Sequence, residues 1–375
     1  MPRDQIAIIG CGLIGGSLGL ALKRKRPGWR VVGIDRATYL PAIRDVSVVD
    51  ELATLDTMGP LLEKSSIVIL ATPVEVILDQ LEMIAPFLSP GTVVSDVGST
   101  KTQIMERARE TIPDGVHFIG GHPIAGSERS GASASDPLLF KERPYVLCPY
   151  PDTPPDALLT LLDVVDDLLA VPVTLDPEEH DRVIATISHV PQLLAIGLVH
   201  AALTDDATHG LLELLAGKGF LDLTRVAASD FAVWRGILET NRDSILGALE
   251  RLEESLGLIR EKMKSGELEA VWESANKKRR KMSLESLSRQ RKPDLRRLVD
   301  RWDEQILRAL GNRLRVVEKI GALKKDRKDS VYDPERERQL LSERRKWAGS
   351  LAIPDGLVDE LFSVIMKHSK QLQSS

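Results

Sequence analysis

Three glycines, Gly10, Gly12 and Gly15, fall in the string GCGLIG, directly after an apolar run and directly before a helical pattern (LIGGSLGLALKRK, 13–25). Glycine at this spacing permits a tight turn and a close backbone approach to a pyrophosphate. The helix that follows presents free amides, those of Leu13 and Ile14 among them, and the positive end of its dipole. Asp35 ends the next apolar run, twenty residues after Gly15. A carboxylate there hydrogen-bonds ribose hydroxyls and repels a 2′-phosphate, although Arg36 stands beside it. Glycine triplet, strand, helix and spaced acid together point to a dinucleotide site that prefers NAD to NADP.

A nicotinamide enzyme oxidising an alcohol needs a group to receive the hydroxyl proton, and histidine titrates in the right range. Of seven histidines, His122 stands out, because it lies in GGHPIAGSERSG just past a strand-like run, where a doubly wound sheet faces its cofactor crevice. Its structural alternative is a loop cap. His180 and His189 fall in a helical stretch, and packing or capping explains them as well as catalysis does. His117, His200, His209 and His368 have no supporting context. Ser99 in SDVGSTK could hydrogen-bond near the nicotinamide or cap a helix. Arg225, among small residues in DLTRVAASD, could clamp a carboxylate or form a structural ion pair.

These residues need a scaffold, and the first ~150 residues supply one. The β-rich runs 5–10, 30–35, 66–72, 92–99, 116–121 and 144–148 alternate with helical stretches. That alternation predicts a parallel, doubly wound α/β sheet. Pro151, Pro154 and Pro155 mark a break, after which apolar residues recur at three- and four-residue spacing. A basic, polar stretch ending at Pro293 reads as a linker, followed by three helical segments. The expected organisation is a nucleotide-binding domain at 1–155, a helical domain at 156–280, a linker at 281–293 and an all-helical domain at 294–375.

The chain has 375 residues, 43% hydrophobic and 28% charged, which excludes a mostly disordered protein. The net charge of -5 hides an asymmetry: from Asn276 onward 26 Lys and Arg face 15 Asp and Glu, whereas the preceding part holds 24 against 40. Uninterrupted apolar runs fall short of the ~20 residues of a membrane span, so none is expected. Two cysteines build no disulfide framework, and no leader pattern opens the chain. A cytoplasmic protein is the expectation. No His, Cys and Asp cluster has metal-ligand spacing, so no metal is expected.

The strings GCGLIGGSLGLAL, ATPVEVI, SDVGSTK, GGHPIAGSERSG, ISHVPQLLA and GFLDLTRVAASDFAVWRGILETN occur in an order that resembles the prephenate dehydrogenase (TyrA) family. The resemblance covers about residues 5–280. It implies oxidative decarboxylation of prephenate to 4-hydroxyphenylpyruvate with NAD, on a nucleotide-binding fold joined to a helical dimerisation domain. By matching position, His122 would accept the ring hydroxyl's proton or hydrogen bond, and Ser99 would bind the same hydroxyl. Arg225 would hold the ring carboxylate, and Ser188 and Trp234 would line the pocket. Gly10, Gly12, Leu13, Ile14, Gly15, Asp35, Arg36, Thr72 and Pro73 would hold the cofactor. Many members have a histidine where ISHVPQ has Gln192, near the substrate's side chain, which bears on prephenate against arogenate.

The last ~80 residues resemble an all-helical AroQ-type chorismate mutase through LRRLVDRWDEQILRALGNR, KIGALKK, DPERERQLL and LFSVIMKHSKQLQ. Helical spacing agrees for one pair, since Arg313 and Lys324 differ by only ~20° around a helix. Arg296 sits ~100° from Arg313 and should serve another surface. The resemblance implies that Arg296 (from a second protomer), Arg313 and Arg336 clamp carboxylates. Lys324 and Gln373 would contact the ether oxygen, and Asp333, Glu337 and Ser369 would bind hydroxyl or adjacent groups.

The implied whole is a dimeric, bifunctional enzyme of tyrosine biosynthesis, acting on chorismate and prephenate. Its alternatives are an arogenate or broad cyclohexadienyl dehydrogenase, a non-catalytic regulatory C-terminal module, and a nucleic-acid-binding tail. The tail is disfavoured because Trp302, Tyr332, Trp347 and Phe362 are its only aromatics and fall mostly on expected core faces.

Overall fold

The computed structural model describes residues 4–126, 129–203, 209–281, 334–350 and 353–374. It also describes residues 299, 303, 306, 307, 310, 311, 313–318 and 321. Contacts divide the chain into two compact units, Met1–Asp294 and Leu295–Ser375.

The first unit is built on an eight-stranded sheet. Its strands are β1 (Gln5–Ile9), β2 (Arg30–Ile34), β3 (Glu51–Ala53), β4 (Ile67–Leu70), β5 (Val93–Asp96), β6 (His117–Pro123), β7 (Pro144–Cys148) and β8 (Val171–Thr174), in the order 3-2-1-4-5-6-7-8. Every residue of β1 and β4 is buried, the signature of strands covered on both faces by helices. Ile9 pairs with Ile34 and with Leu70, so Gly10, Asp35 and Ala71 emerge together at one edge.

Two features depart from the expected sheet. The pair β6–β7 is antiparallel, with His122 opposite Val146. The sheet also continues past residue 155: the helix Pro155–Asp167 leads into β8, which pairs in parallel with β7. The break read at Pro151–Pro155 is therefore a turn inside the sheet domain, because prolines here open a helix at its first turn instead of ending a domain.

The helical part begins with Pro177–Ile184, passes through a π-helical turn at Ala185–His189 and continues as Val190–Leu203. This 27-residue run is long and apolar enough, by length and composition, to cross a membrane, although polar residues interrupt its apolar stretches. His180, Asp181 and His189 on it are buried and hydrogen-bonded within the domain, as in a helix serving a protein core. Phe231–Thr240 and Arg242–Ser265 pack beside it. Gly236 sits against the nucleotide domain, where a Cβ would lie 2.3 Å from Glu75 Oε2.

In the second unit, helices Pro334–Ser350 and Asp355–Ser374 are joined by the Arg345–Asp359 pair, with both guanidinium contacts at 2.8 Å. Val317, Ala348 and Val358 are buried, while Ile306, Leu307, Leu357, Leu361 and Val364 are exposed.

Candidate active site

Gly10 adopts φ +94°, a left-handed conformation that glycine takes at no cost. A Cβ on Gly15 would stand 1.8 Å from the Gly10 carbonyl oxygen, so the helix Leu13–Lys25 lies directly on the turn. A Cβ on Gly12 would meet nothing within 4 Å, which leaves the turn open on the side that a pyrophosphate would approach. Leu13 and Ile14 form the first helical residues there. Thr72 packs its methyl on the turn, 2.7 Å from where a Gly10 Cβ would be, and donates to Gln80 Oε1 at 2.7 Å. Pro73 caps the helix Val74–Ile84. Asp35 accepts from the Cys11 amide at 2.8 Å and from the Arg36 amide at 2.7 Å. Arg36 is exposed and lies over the Tyr39 ring at 4.7 Å. An open glycine turn, a helix N-terminus and a flanking acid suit a dinucleotide.

Ser99 follows β5, and His122 lies near the end of the adjacent parallel strand β6, paired with β7 instead of past the strand as expected, at the same edge. Ser99 is not a helix cap: the helix Thr102–Thr111 begins after Lys101 and receives no side-chain cap from its own segment. Asp181, from the helical part, takes that place, accepting from Lys101 N at 2.7 Å and Thr102 N at 2.9 Å.

His122 is no loop cap either. Its Nδ1 lies 2.8 Å from Nε2 of His180, whose Nδ1 lies 2.8 Å from Asp181 Oδ1. Beneath this chain sits a fully buried ion pair between Lys101 and Asp96. Asp96 also accepts from Gly98 N at 2.8 Å and Gly121 N at 3.0 Å. Burial, reinforced by His180, Lys101 and His189, holds the His122 imidazole well below its ordinary range, so it rests neutral. Burial likewise lowers His180.

His189, also buried, takes a hydrogen bond at Nδ1 from the Asn241 amide at 3.2 Å, which leaves its proton on Nε2. Its ring meets Trp234 edge-to-face at 5.9 Å. Burial pushes His189 down to about 4. Ser188, its neighbour on the π-helical turn, is exposed. The Gln192 amide nitrogen donates to Val226 O at 2.9 Å and Ser229 Oγ at 2.7 Å. The indole of Trp234 donates to the same Ser229 Oγ at 3.0 Å. Both protons of the Gln192 amide therefore brace the turn Arg225–Ala228, on which Arg225 is exposed.

Asp96, Lys101, Asp181 and Asn241 join this site without having been expected in it, and His180, balanced in the sequence between packing and catalysis, lies within it. A reading of SDVGSTK for charged partners, and of the adjacent His-Asp in EEHDR, could have raised them.

The neutral histidines carry a stability consequence. Below about pH 6.5 an unfolded chain protonates groups that the fold keeps neutral, so stability is full above that pH. It is lost as pH falls, through about 4 in the case of His189. Each such proton contributes up to about 1.4 kcal/mol per pH unit. Urea midpoints at pH 7.5, 6.0 and 5.0 should fall progressively, and a flat series would contradict the buried, neutral assignment.

In the second unit, Arg313 Nη1 donates to Ser369 Oγ at 2.7 Å, and Ser369 in turn donates to Ile365 O at 2.7 Å. Burial, with Arg344 nearby, lowers the Arg313 guanidinium. Arg296, Lys324 and Asp333 lie outside the described residues. Arg336, Glu337 and Gln373 fall within described helices, with side chains outside the description.

Residues 18–174 match the family described as prephenate dehydrogenase, nucleotide-binding domain. Residues 176–276 match prephenate dehydrogenase, dimerization domain, and residues 295–374 match chorismate mutase type II. A prephenate dehydrogenase of Bacillus subtilis is 37% identical over 260 residues, 69% of this chain and 70% of that protein. The crystal structure of Aquifex aeolicus prephenate dehydrogenase, in complex with hydroxyphenyl propionate and NAD+, superposes with a TM-score of 0.69 at 28% identity, covering 74% of this chain and 98% of that one. A Synechocystis arogenate dehydrogenase superposes with a TM-score of 0.65 at 32% identity, covering 74% of this chain and all of the other.

Proposed function

Because this chain belongs to the prephenate dehydrogenase family and ends in a type II chorismate mutase domain, we propose that it runs two consecutive steps of tyrosine biosynthesis. Chorismate rearranges to prephenate in the C-terminal unit, and prephenate is oxidised and decarboxylated to 4-hydroxyphenylpyruvate in the N-terminal one.

In the dehydrogenase, Gly10, Gly12, Leu13, Ile14 and Gly15 would hold the pyrophosphate of NAD, and Asp35 its ribose. Thr72, Pro73 and Arg36 would flank it. When bound, NAD supplies the acceptor for the hydride leaving the ring carbon that bears the hydroxyl. The open Nε2 of His122 receives the hydroxyl's proton or hydrogen bond, with Ser99 on the same oxygen. Electron density pushed onto that oxygen favours hydride departure. Arg225 holds the ring carboxylate until it leaves as CO2, and aromatisation drives that departure. Trp234 and Ser188 line the pocket, while Gln192 fixes the turn that carries Arg225.

In the mutase, Arg313 and Ser369, with Arg296, Lys324, Asp333, Arg336, Glu337 and Gln373, would position a dianion and stabilise the ether oxygen as its bond breaks. We assign the enzyme to the cytoplasm as a homodimer. Its helical part leaves Leu211, Leu214, Leu215, Leu221, Leu223 and Phe231 exposed, an apolar surface that a second copy would cover.

The observation that carries the dehydrogenase assignment is the placement of His122 at the carboxyl edge of a nucleotide-binding sheet, its Nδ1 held 2.8 Å from His180 Nε2. Chorismate and NAD supplied to the purified chain should yield NADH and CO2 in equal amounts. No NADH from chorismate or prephenate would overturn the assignment, as would a higher kcat/KM for arogenate than for prephenate. Asp35→Asn keeps an acceptor for the Cys11 amide but removes the charge. It should weaken NAD about 10–100-fold, the 1.5–3 kcal/mol of a charged hydrogen bond, and raise NADP use. Unchanged cofactor preference would show that Asp35 does not read the ribose.

A further inference from the structure

We infer that His180 and Asp181 are positioning residues that fix the tautomer of His122, so that its unprotonated Nε2 faces the substrate hydroxyl. The inference rests on the reading of His122 as the group that receives the hydroxyl proton.

The argument starts from the far end of the chain of hydrogen bonds. Asp181 accepts two backbone amides, from Lys101 at 2.7 Å and Thr102 at 2.9 Å, at the start of the helix Thr102–Thr111. A carboxylate held this way stays ionised and can only accept. His180 Nδ1, 2.8 Å from Asp181 Oδ1, must therefore carry a proton. His180 is fully buried and neutral, so its Nε2 bears a lone pair. That lone pair lies 2.8 Å from His122 Nδ1, which must then be the donor. A neutral His122 protonated on Nδ1 has its free lone pair on Nε2. Each hydrogen bond thus sets the polarity of the next, from a buried helix start to the reacting edge.

The surroundings reinforce this polarity. The Lys101 ammonium bears on both imidazoles but is paired with Asp96, and Asp96 is committed to Gly98 N and Gly121 N. His189 faces Asn241 and Trp234 and offers His122 no competing hydrogen bond in the structure. When His122 takes up a proton, its Nδ1–H remains bonded to His180, and the Asp181 carboxylate lies behind. The arrangement has the logic of a base oriented by a buried acceptor and an acid, here with a second imidazole between them.

The test uses the full chain with histidine side chains labelled with ¹⁵N, the His122 signals being assigned by their loss in His122→Asn. In the wild type, His122 should show a protonated Nδ1 and an unprotonated Nε2. Asp181→Asn presents an amide that can donate to His180 Nδ1, which reverses the chain and moves the His122 proton to Nε2. Prephenate kcat should then fall about 10²–10⁴-fold, with KM for prephenate and NAD within about threefold. His180→Phe removes the acceptor and should fall comparably. His180→Gln can place an amide oxygen opposite His122 Nδ1 and should recover turnover to within about tenfold of wild type.

NAD affinity at the wild-type value in the same variants reports that the first unit has folded. A wild-type His122 protonated on Nε2, or a kcat within threefold of wild type in both Asp181→Asn and His180→Phe, would overturn the inference. Equal losses in His180→Phe and His180→Gln would also overturn it, since that pattern marks a merely structural residue. A wild type with the stated tautomer but no prephenate oxidation would sink the functional reading and leave the hydrogen-bond chain standing.

Discussion

His122→Asn should lower prephenate turnover by about 10³–10⁴-fold while leaving NAD affinity and mutase turnover at wild-type values. Asparagine suits the test because its amide nitrogen can stand where the His122 Nδ1 donor stands. The 2.8 Å contact to His180 can therefore persist, and only the Nε2 lone pair is lost. An amide oxygen near that place can accept a hydrogen bond but cannot take a proton at working pH. The hydroxyl would then leave its carbon poorly activated for hydride loss. Because His122 lies near the end of β6 and outside the glycine turn after β1, cofactor binding should not change. Steady-state NADH formation with prephenate, beside NAD titration of the free variant, decides the matter. A loss below tenfold would remove His122 from the proton-accepting role.

The same site shows why part of it could be read from the sequence and part could not. GCGLIG is legible because its demands are local: a left-handed Gly10, a Gly15 with no room for a Cβ, and a helix start. The strands beside it are legible because burial on both faces leaves nearly continuous apolar runs. β3 and β8 escape this pattern, having three and four residues and lying at the ends of the sheet, and Pro172 sits inside β8. His122 is marked by its flanking glycines, and the fold explains them: a Cβ on Gly121 would lie 2.4 Å from the Asp96 carbonyl oxygen.

His180 and Asp181 carry no such mark. Their meaning depends on a strand meeting a helix 58 residues away, and a local pattern cannot separate a buried histidine that orients a base from one that merely fills space. The π-helical turn is equally silent in the sequence. It places exposed Ser188 beside buried His189 with a spacing that regular helical periodicity does not anticipate. Gln192 shows the opposite case, a position legible as part of the site whose amide turns out to brace the Arg225 turn.

Arg313→Ala should reduce chorismate rearrangement by about 10²–10³-fold and leave oxidation of supplied prephenate intact. The reaction needs no proton transfer and no cofactor, so its acceleration comes from holding a flexible dianion in a reactive shape and from cations at the oxygen that gains charge. Arg313 suits that work in three ways. It is half-buried, which strengthens its field. Ser369 receives one of its protons at 2.7 Å and fixes its direction. Arg344 lies close enough to oppose its charge, so an incoming dianion would relieve repulsion between two cations as it binds. Removing the guanidinium therefore takes away both a half-buried cation and the anchor for Ser369 on the helix Asp355–Ser374. With chorismate and NAD supplied together, the variant should make NADH slowly, and added prephenate should restore the full rate. Chorismate consumption at the wild-type rate would show that the C-terminal helices bind or regulate without catalysing.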